Sequence, residues 1–202
     1  LIVGNACGVE SRLAIGANNT VLTSNGTTAT WAALSSPATS WSQLATGSLT
    51  GAATITISSF TSKNNYVIAI EGASSTNASS HVNIRFNGLT SGYSTQYADL
   101  MFASSYNSGN FEAYLDSGQI PLGKMSNDSG SRVRGFLYLS GGKSGSAKIY
   151  QNFGMARPAF GNSQTAQFGG GYHTNTNAIT SFSILSSTGN FDEGTYYLYG
   201  AD

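Results

Sequence analysis

Short stretches in which apolar and polar residues alternate run through most of the chain, and they constrain its fold more than any other feature. In His81–Asn87, the apolar residues Val82, Ile84 and Phe86 alternate with polar ones. Because successive side chains of a strand point to opposite faces, this pattern predicts strands that are buried on one face. The other such stretches are Ala53–Phe60, Tyr66–Glu71, Phe111–Asp116, Arg132–Leu139, Ala147–Phe153, Ile179–Leu185 and Thr195–Tyr199.

Clusters of glycine, asparagine and serine separate these stretches and predict the turns, because Asn and Gly tolerate the left-handed backbone that tight turns require. The clusters are Gly72–Ser75, Asn87–Gly88, Ser108–Asn110, Gly141–Gly142 and Gly169–Gly171. No stretch has an amphipathic helical period over three turns. Many short strands at regular spacing predict an all-β, antiparallel β-sandwich with a jelly-roll-like architecture.

The length of 202 residues suits one domain of ordinary size with a small appendage. We therefore predict an N-terminal collar and linker over residues 1–40 and a β-sandwich head domain over residues 41–202. We expect Trp41, which opens the head, to pack over one end of the sandwich. The chain starts at Leu1 without a basic segment, which indicates a piece of a longer protein rather than a signal peptide.

The charge of the chain excludes some classes of partner. Only 9% of the residues are charged, the formal net charge is zero, and no run of Lys or Arg occurs. Without a basic face there is nothing to attract a phosphate backbone, so we expect no nucleic-acid binding. No window approaches the roughly 18 apolar residues of a membrane span, so we expect no membrane insertion. A net charge near zero also removes one barrier to self-association.

The segment Leu1–Trp31 sets short apolar groups between turns rich in glycine and asparagine. Segments below roughly 40 residues usually need disulfides, metal or oligomerisation to fold, and Cys7 is the single cysteine of the chain. The segment therefore packs either on the rest of its own chain or on copies from other chains. In the second case the residues that drive oligomerisation are Ile2, Val3, Leu13, Ile15, Val21 and Leu22.

The candidate catalytic residues form no constellation that we recognise. Glu112 and Asp116 lie on one strand about 13 Å apart, at roughly 3.3 Å per residue. Glycosidase carboxylates lie only about 5–5.5 or 6.5–9.5 Å apart. Asp192–Gly194 is expected to be a hairpin turn with hydrated acids, and it lacks the pattern of a calcium loop. The two histidines, His81 and His173, have no nucleophile elbow near them in the sequence. We expect no catalytic residue, no cofactor and no metal site.

Tyrosine gives a better indication of function, because the chain has 11 of them. Four are assigned to loops as candidate contacts to a receptor or glycan: Tyr93, Tyr97, Tyr106 and Tyr172. An exposed tyrosine offers a flat apolar face and a hydroxyl group, which suits the binding of proteins or sugars. The alternative, which holds more often for any single tyrosine, is a place in the core or at a subunit interface.

Three segments resemble parts of bacteriophage virion proteins. Leu13–Gly26, followed by Trp31, resembles a module of tail-fibre proteins that commonly precedes a C-terminal head in trimeric shafts. Ile84–Gly88 and the tyrosines that follow it resemble a motif in which a strand ends in an Arg-x-Asn turn. We expect its residues Arg85 and Asn87 to hold a loop by hydrogen bonding. Ile179–Gly200 is similar to the C-termini of many phage tail and capsid-associated proteins.

The resemblance implies a non-enzymatic structural protein of the virion, the distal part of a tail (or head) fibre. Its partners would be itself, as a homotrimer, other tail or capsid proteins, and a host-surface glycan or protein. Two alternatives stay open: a capsid decoration or cement protein and, more distantly, a glycan depolymerase. The stretch Met101–Ala166 has no such resemblance, and receptor specificity is expected to vary there.

Overall fold

A computed structural model of the protein describes residues 2–4, 10–24, 26–34, 41–103, 106–127, 132–156 and 164–202. Within these residues every regular element is a β-strand, and every strand pair is antiparallel. The predicted all-β, antiparallel fold class is therefore confirmed. Contacts divide the chain into two compact units, Leu1–Ser40 and Trp41–Asp202.

The described part of the first unit contains two small antiparallel strand pairs. Their strands are β1 (Ile2–Gly4) with β2 (Glu10–Arg12), and β3 (Thr20–Ser24) with β4 (Ala29–Ala33). The indole N–H of Trp31 donates to the carbonyl oxygen of Ala14 at 2.7 Å. No apolar side chain described in this unit is buried. The unit thus has paired strands but, in its described part, no hydrophobic core of its own.

In its described residues, the second unit, which we call the head, contains twelve strands in two sheets. The strands are β5 (Ser42–Ser48), β6 (Thr54–Ser58), β7 (Asn65–Ser75), β8 (Ser80–Phe86), β9 (Tyr93–Ala103), β10 (Tyr106–Ser117), β11 (Ile120–Met125), β12 (Val133–Ser140), β13 (Lys148–Ala156), β14 (Gln164–His173), β15 (Ser181–Ser186) and β16 (Phe191–Ala201). One sheet has the order β10-β9-β14-β13-β12-β7-β16-β5, and the other has the order β11-β8-β15-β6. The jelly-roll-like connectivity stays a prediction.

A single hydrophobic core joins the two sheets of this sandwich. Alternate residues of β7, from Tyr66 to Ile70, are buried together with alternate residues of β8, from Val82 to Phe86. The ring of Tyr66 also meets Phe182 of β15 edge to face, with centroids 5.0 Å apart. The predicted alternation in His81–Asn87 is therefore the pattern that turns one side of the four-stranded sheet inward.

Three of the five predicted turn clusters are wrong, because they lie inside long strands. Gly72–Ser75 is part of β7, Ser108–Asn110 is part of β10, and Gly169–Gly171 is part of β14. The predicted hairpin turn at Asp192–Gly194 is also wrong, since it is a pair of register shifts within β16. Glycine within a strand marks a bulge or a close approach of backbones as often as a turn.

The remaining two clusters do lie between strands. Asn87 and Gly88 have φ angles of 52° and 66° and follow β8, and Gly141–Gly142 follow β12. The N–H of Leu89 donates to the carbonyl oxygen of Phe86 at 3.1 Å, so the Asn-Gly pair forms a tight turn with the two left-handed residues that it favours. Trp41 is about half exposed, and its ring meets Tyr138 edge to face at 6.3 Å.

Candidate functional site

The inner face of the eight-stranded sheet changes from apolar to polar along a single row of paired residues. From β16 to β10 the row is Leu198, Ile68, Leu137, Asn152, Gly169, Tyr97 and Glu112. The next row repeats the change, since Ile70 is buried at one end and Asp99 is paired with Gln167 at the other. The β9–β10 end of the sheet therefore turns hydrogen-bonding groups toward the position that a sandwich normally fills with a core.

Strand β11, at the edge of the four-stranded sheet, lies closely over the start of this polar region. A Cβ atom at Gly154 of β13 would collide with the carbonyl oxygen of Leu122, so only glycine permits this approach. The side-chain amide of Asn152 donates to the carbonyl oxygen of Pro121 at 2.8 Å. The side-chain oxygens of Asn152 and Gln167 are buried and have no hydrogen-bond partner among the described residues.

A polar cleft of about 260 Å³ lies beyond this edge, between the β9–β10 hairpin and the side of the four-stranded sheet that faces away from the core. It is lined by His81, Asn83, Tyr97, Ser117, Gln119, Pro121 and Ser187. Asn83 is almost fully buried there although it points away from the core. We call this site the polar cleft. It has the concave shape and convergent polar groups of a small-ligand site.

Hydrogen bonds fix the walls of the polar cleft. The hydroxyl of Tyr97 donates to Oε2 of Glu112 at 2.8 Å across the β9–β10 hairpin. The turn between β10 and β11 is held by Arg85, whose Nε donates to the Gly118 carbonyl at 2.8 Å and whose Nη2 donates to Oε1 of Gln119 at 3.1 Å. Arg85 therefore positions the rim of the cleft.

The imidazole of His81 is neutral near neutral pH. Its burial lowers its pKa below the usual value, and the ammonium of the neighbouring Lys124 lowers it further, while Asp99 and Glu112 act in the opposite direction. A neutral imidazole carries one hydrogen-bond donor and one acceptor. His81 therefore presents the cleft with a group that can bond a hydroxyl in either direction.

The second loop-holding residue of the motif, Asn87, ties down the segment before β15. Its Oδ1 accepts from the backbone N–H of Thr180 at 2.8 Å, and its Nδ2 donates to the carbonyl of Ala178 at 2.8 Å. Asn87 and Arg85 thus both bond loops. Neither Arg85 nor Asn87 lines the polar cleft.

The four candidate tyrosines do not form one site, and none of them lies in a loop. Tyr93 is a correction: it is fully buried in β9, its hydroxyl accepts from the Phe86 N–H at 3.1 Å, and burial raises its pKa to about 12. Such a residue supports the core and cannot contact a receptor. Tyr97 lines the polar cleft, and Tyr172 is half exposed on the opposite face of the sheet. Tyr106 begins β10, and its side chain lies outside the described part of the structure.

The outer face of the same sheet carries a feature that the sequence analysis did not predict. A row of directly paired residues crosses six strands from β10 to β7: Phe111, Ala98, Phe168, Phe153, Phe136 and Ala69. We call it the aromatic row. Phe111 is 84% exposed, and Phe136 and Phe168 are each nearly half exposed. The sequence contains an indication of this row, since Phe136 lies in the alternating stretch Arg132–Leu139 and falls on the opposite face from Leu137 and Leu139.

The predicted oligomerisation residues of the first unit lie in and beside its strands. Ile15 is 98% exposed, Val21 and Leu22 of β3 are partly exposed, and Leu13 is half-buried. Ile2 and Val3 lie in β1, and their side chains are outside the described part of the structure.

Among the described residues, no three His, Cys, Asp or Glu side chains are grouped so that they would hold a metal ion. In the same part of the chain, no helix has the length and apolar character needed to cross a membrane. The side chain of Asp116, half of the acid pair considered from the sequence, is not among those described.

The chain was also compared with protein-family models, with curated proteins and with solved structures, and none of them matches it. The fold and its two surfaces define the molecule as an antiparallel all-β head with a polar cleft on one side and an exposed aromatic row on the other.

Proposed function

We propose that the chain is a non-enzymatic structural protein of a bacteriophage virion, the distal part of a tail or head fibre, whose head binds a saccharide of the host surface. The observation that carries the binding part is the polar cleft, with Tyr97, His81 and Asn83 in its wall. The virion part is supported by the resemblance of Leu13–Gly26 and Ile179–Gly200 to phage fibre and tail proteins.

A saccharide suits the chemistry of the cleft better than a charged or purely apolar ligand. The ring of Tyr97 offers an apolar face to the C–H groups of a sugar ring. The imidazole of His81 and the amide of Asn83 offer donors and acceptors to its hydroxyl groups. At about 260 Å³ the cleft is slightly below the roughly 300 Å³ at which ligand pockets usually begin. It therefore fits one unit at the end or along the side of a glycan chain.

Binding of host-surface saccharide to the full chain tests this proposal, with oligosaccharides prepared from the host envelope as the probe. We expect Tyr97→Ala to weaken binding at least tenfold, because it removes the stacking face and the bond to Glu112. The matched control is Tyr172→Ala, a tyrosine on the opposite face, with an expected change below twofold. Tyr97→Phe keeps the ring and serves as the folding control. Equal affinity for wild type and Tyr97→Ala would refute the cleft as the binding site.

The non-enzymatic part has its own test, because Asp99 and Glu112 lie on the same face of neighbouring strands. They are a pair of acids on separate strands, unlike Glu112 and Asp116, which lie on one strand. Incubation of host polysaccharide with the protein is expected to leave its chain length unchanged. Cleavage that disappears in Glu112→Gln would overturn the non-enzymatic proposal and favour a depolymerase.

The location in the virion separates a fibre from a capsid protein. Gold-labelled antibody against the head is expected to mark the ends of fibres on intact particles. Label spread over the capsid faces would overturn the fibre proposal in favour of a capsid decoration protein. This result does not depend on whether the polar cleft binds saccharide.

A further inference from the structure

The aromatic row is too apolar and too continuous for an ordinary exposed sheet face. Its residues are direct neighbours across six strands, so at about 4.8 Å per strand the row is about 24 Å long. Met155 of β13 is also exposed on the same face and widens the row into a patch. Contiguous apolar patches of this kind mark interaction surfaces in soluble proteins.

The relief of the patch lets it fit a surface like itself. Phe111 projects from the sheet, whereas a depression of about 330 Å³ lies between Phe111 and Phe168. A second depression, of about 640 Å³, lies beside Phe136 and Met155. A face that carries both a projecting ring and depressions lined by rings can interlock with the same face of a second copy about a two-fold axis.

The charges beside the patch also favour an identical partner. Arg134 and Glu71 form an ion pair of 2.5 Å at the end of the row near β7. Both signs are therefore present side by side, and the whole chain has no net charge. These charges favour neither a strongly acidic nor a strongly basic partner, and they do not repel a second copy of the chain.

The first unit supplies a reason for copies to meet. Ile15, Trp31 and Leu34 are exposed in it, and its described part has no core. When such segments of several chains associate, the attached heads are held at a raised effective concentration. The patch of one head is then covered by another head, even if the affinity between two heads is moderate.

We propose that the aromatic row is the surface through which the heads of neighbouring copies of this chain contact one another. The side chains of the aromatic row are hydrocarbon and offer no hydrogen-bonding groups. This distinguishes the row from the polar cleft, which we assign to saccharide. The two lie on opposite faces of the same sheet, so this inference does not depend on saccharide binding.

The test measures the association of the full chain by sedimentation between about 1 and 100 µM, using the double variant Phe136→Thr with Phe168→Thr. Threonine suits a strand and both positions are exposed, so we expect the fold to be kept. We expect wild type to be a multiple of the 20.9 kDa chain and the double variant to have a dissociation constant at least tenfold higher. The matched control is Ile149→Thr, on the same face about 13 Å along β13, with an expected change below threefold.

Cysteine cross-linking identifies the contacting face directly. In a background with Cys7→Ala, Phe168→Cys is expected to form disulfide-linked dimers under mild oxidation. Thr56→Cys, an exposed position on the four-stranded sheet, is expected not to form them. A monomeric wild type at 100 µM, or equal cross-linking at both positions, would overturn the proposal. Saccharide that binds a monomer and is lost in the double phenylalanine variant would assign the row to glycan instead.

Discussion

Apolar and polar residues alternate along the strands at both ends of the eight-stranded sheet. At one end the apolar residues face inward, and at the other end they face outward. At the end formed by β12, β7 and β16, the inner face carries buried residues such as Leu137 and Ile68. At the end formed by β14, β9 and β10, the inner face carries Tyr97 and Glu112, and the exposed Phe111 and Phe168 are on the outer face. Binary patterning thus specifies the fold at one end and departs from it at the other, as natural proteins do at functional sites.

The size of the opposing sheet explains the inversion. Four strands cannot cover eight, and the covering sheet ends at β11, which lies over β13 and β14. Tyr97 and Glu112 lie on the inner face beyond that edge, beside the polar cleft, so polar side chains are stable there. The outer face at the same end is stable with phenylalanine only if something covers it. The polar cleft lies at this inverted end, and the aromatic row begins there and continues to β7.

The largest expected effect compares an apolar with a polar position of the inner face. Leu137 and Asn152 are these positions, and they are direct neighbours across β12 and β13. We expect Leu137→Ala to lower the free energy of unfolding by about 3 kcal/mol, because it leaves a cavity in the core. Asn152→Ala removes one hydrogen bond to Pro121 and is expected to cost about 1 kcal/mol. Urea unfolding of both variants measures the difference, and equal losses would contradict the division into two ends.

The next effect distinguishes a structural tyrosine from an exposed one. Tyr93→Phe leaves the buried N–H of Phe86 without its acceptor, so we expect a loss of about 1–3 kcal/mol in the free energy of unfolding. Tyr172→Phe removes a hydroxyl from a half-exposed ring and is expected to change stability by less than about 0.5 kcal/mol. If Tyr93→Phe were as stable as wild type, the buried hydrogen bond would not contribute as argued.

The fold class followed from the sequence because alternation is a local property of each strand. Val82, Ile84 and Phe86 show it within seven residues, and the structure buries all three. The turns were less predictable, since Gly169–Gly171 has the composition of a turn but lies within β14. There the backbones of neighbouring strands approach too closely for a side chain: a Cβ at Gly171 would collide with the Ser94 carbonyl.

The two surfaces were not predictable because each depends on the pairing of distant segments. Phe111 and Phe168 are 57 positions apart in the sequence and meet on either side of Ala98 only through the β10-β9-β14 order. The polar cleft likewise needs His81 and Tyr97 from different sheets. Of the four candidate tyrosines, Tyr97 lines the polar cleft. Nothing local distinguished it from the buried Tyr93.

The smallest effect that we predict is a loss of stability at acidic pH, and it is caused by His81 in the polar cleft. The pKa of His81 is lowered in the folded protein, first by burial and then by Lys124, so the unfolded chain takes up the proton at a higher pH. Stability is therefore complete above about pH 6.5 and falls as the pH drops from there toward the folded pKa. Urea midpoints at pH 7.5 and 5.5 measure this fall, which we expect to be smaller in His81→Gln. The same fall in both proteins would show that other groups cause it, and the neutral imidazole would lose its part in the argument for the cleft.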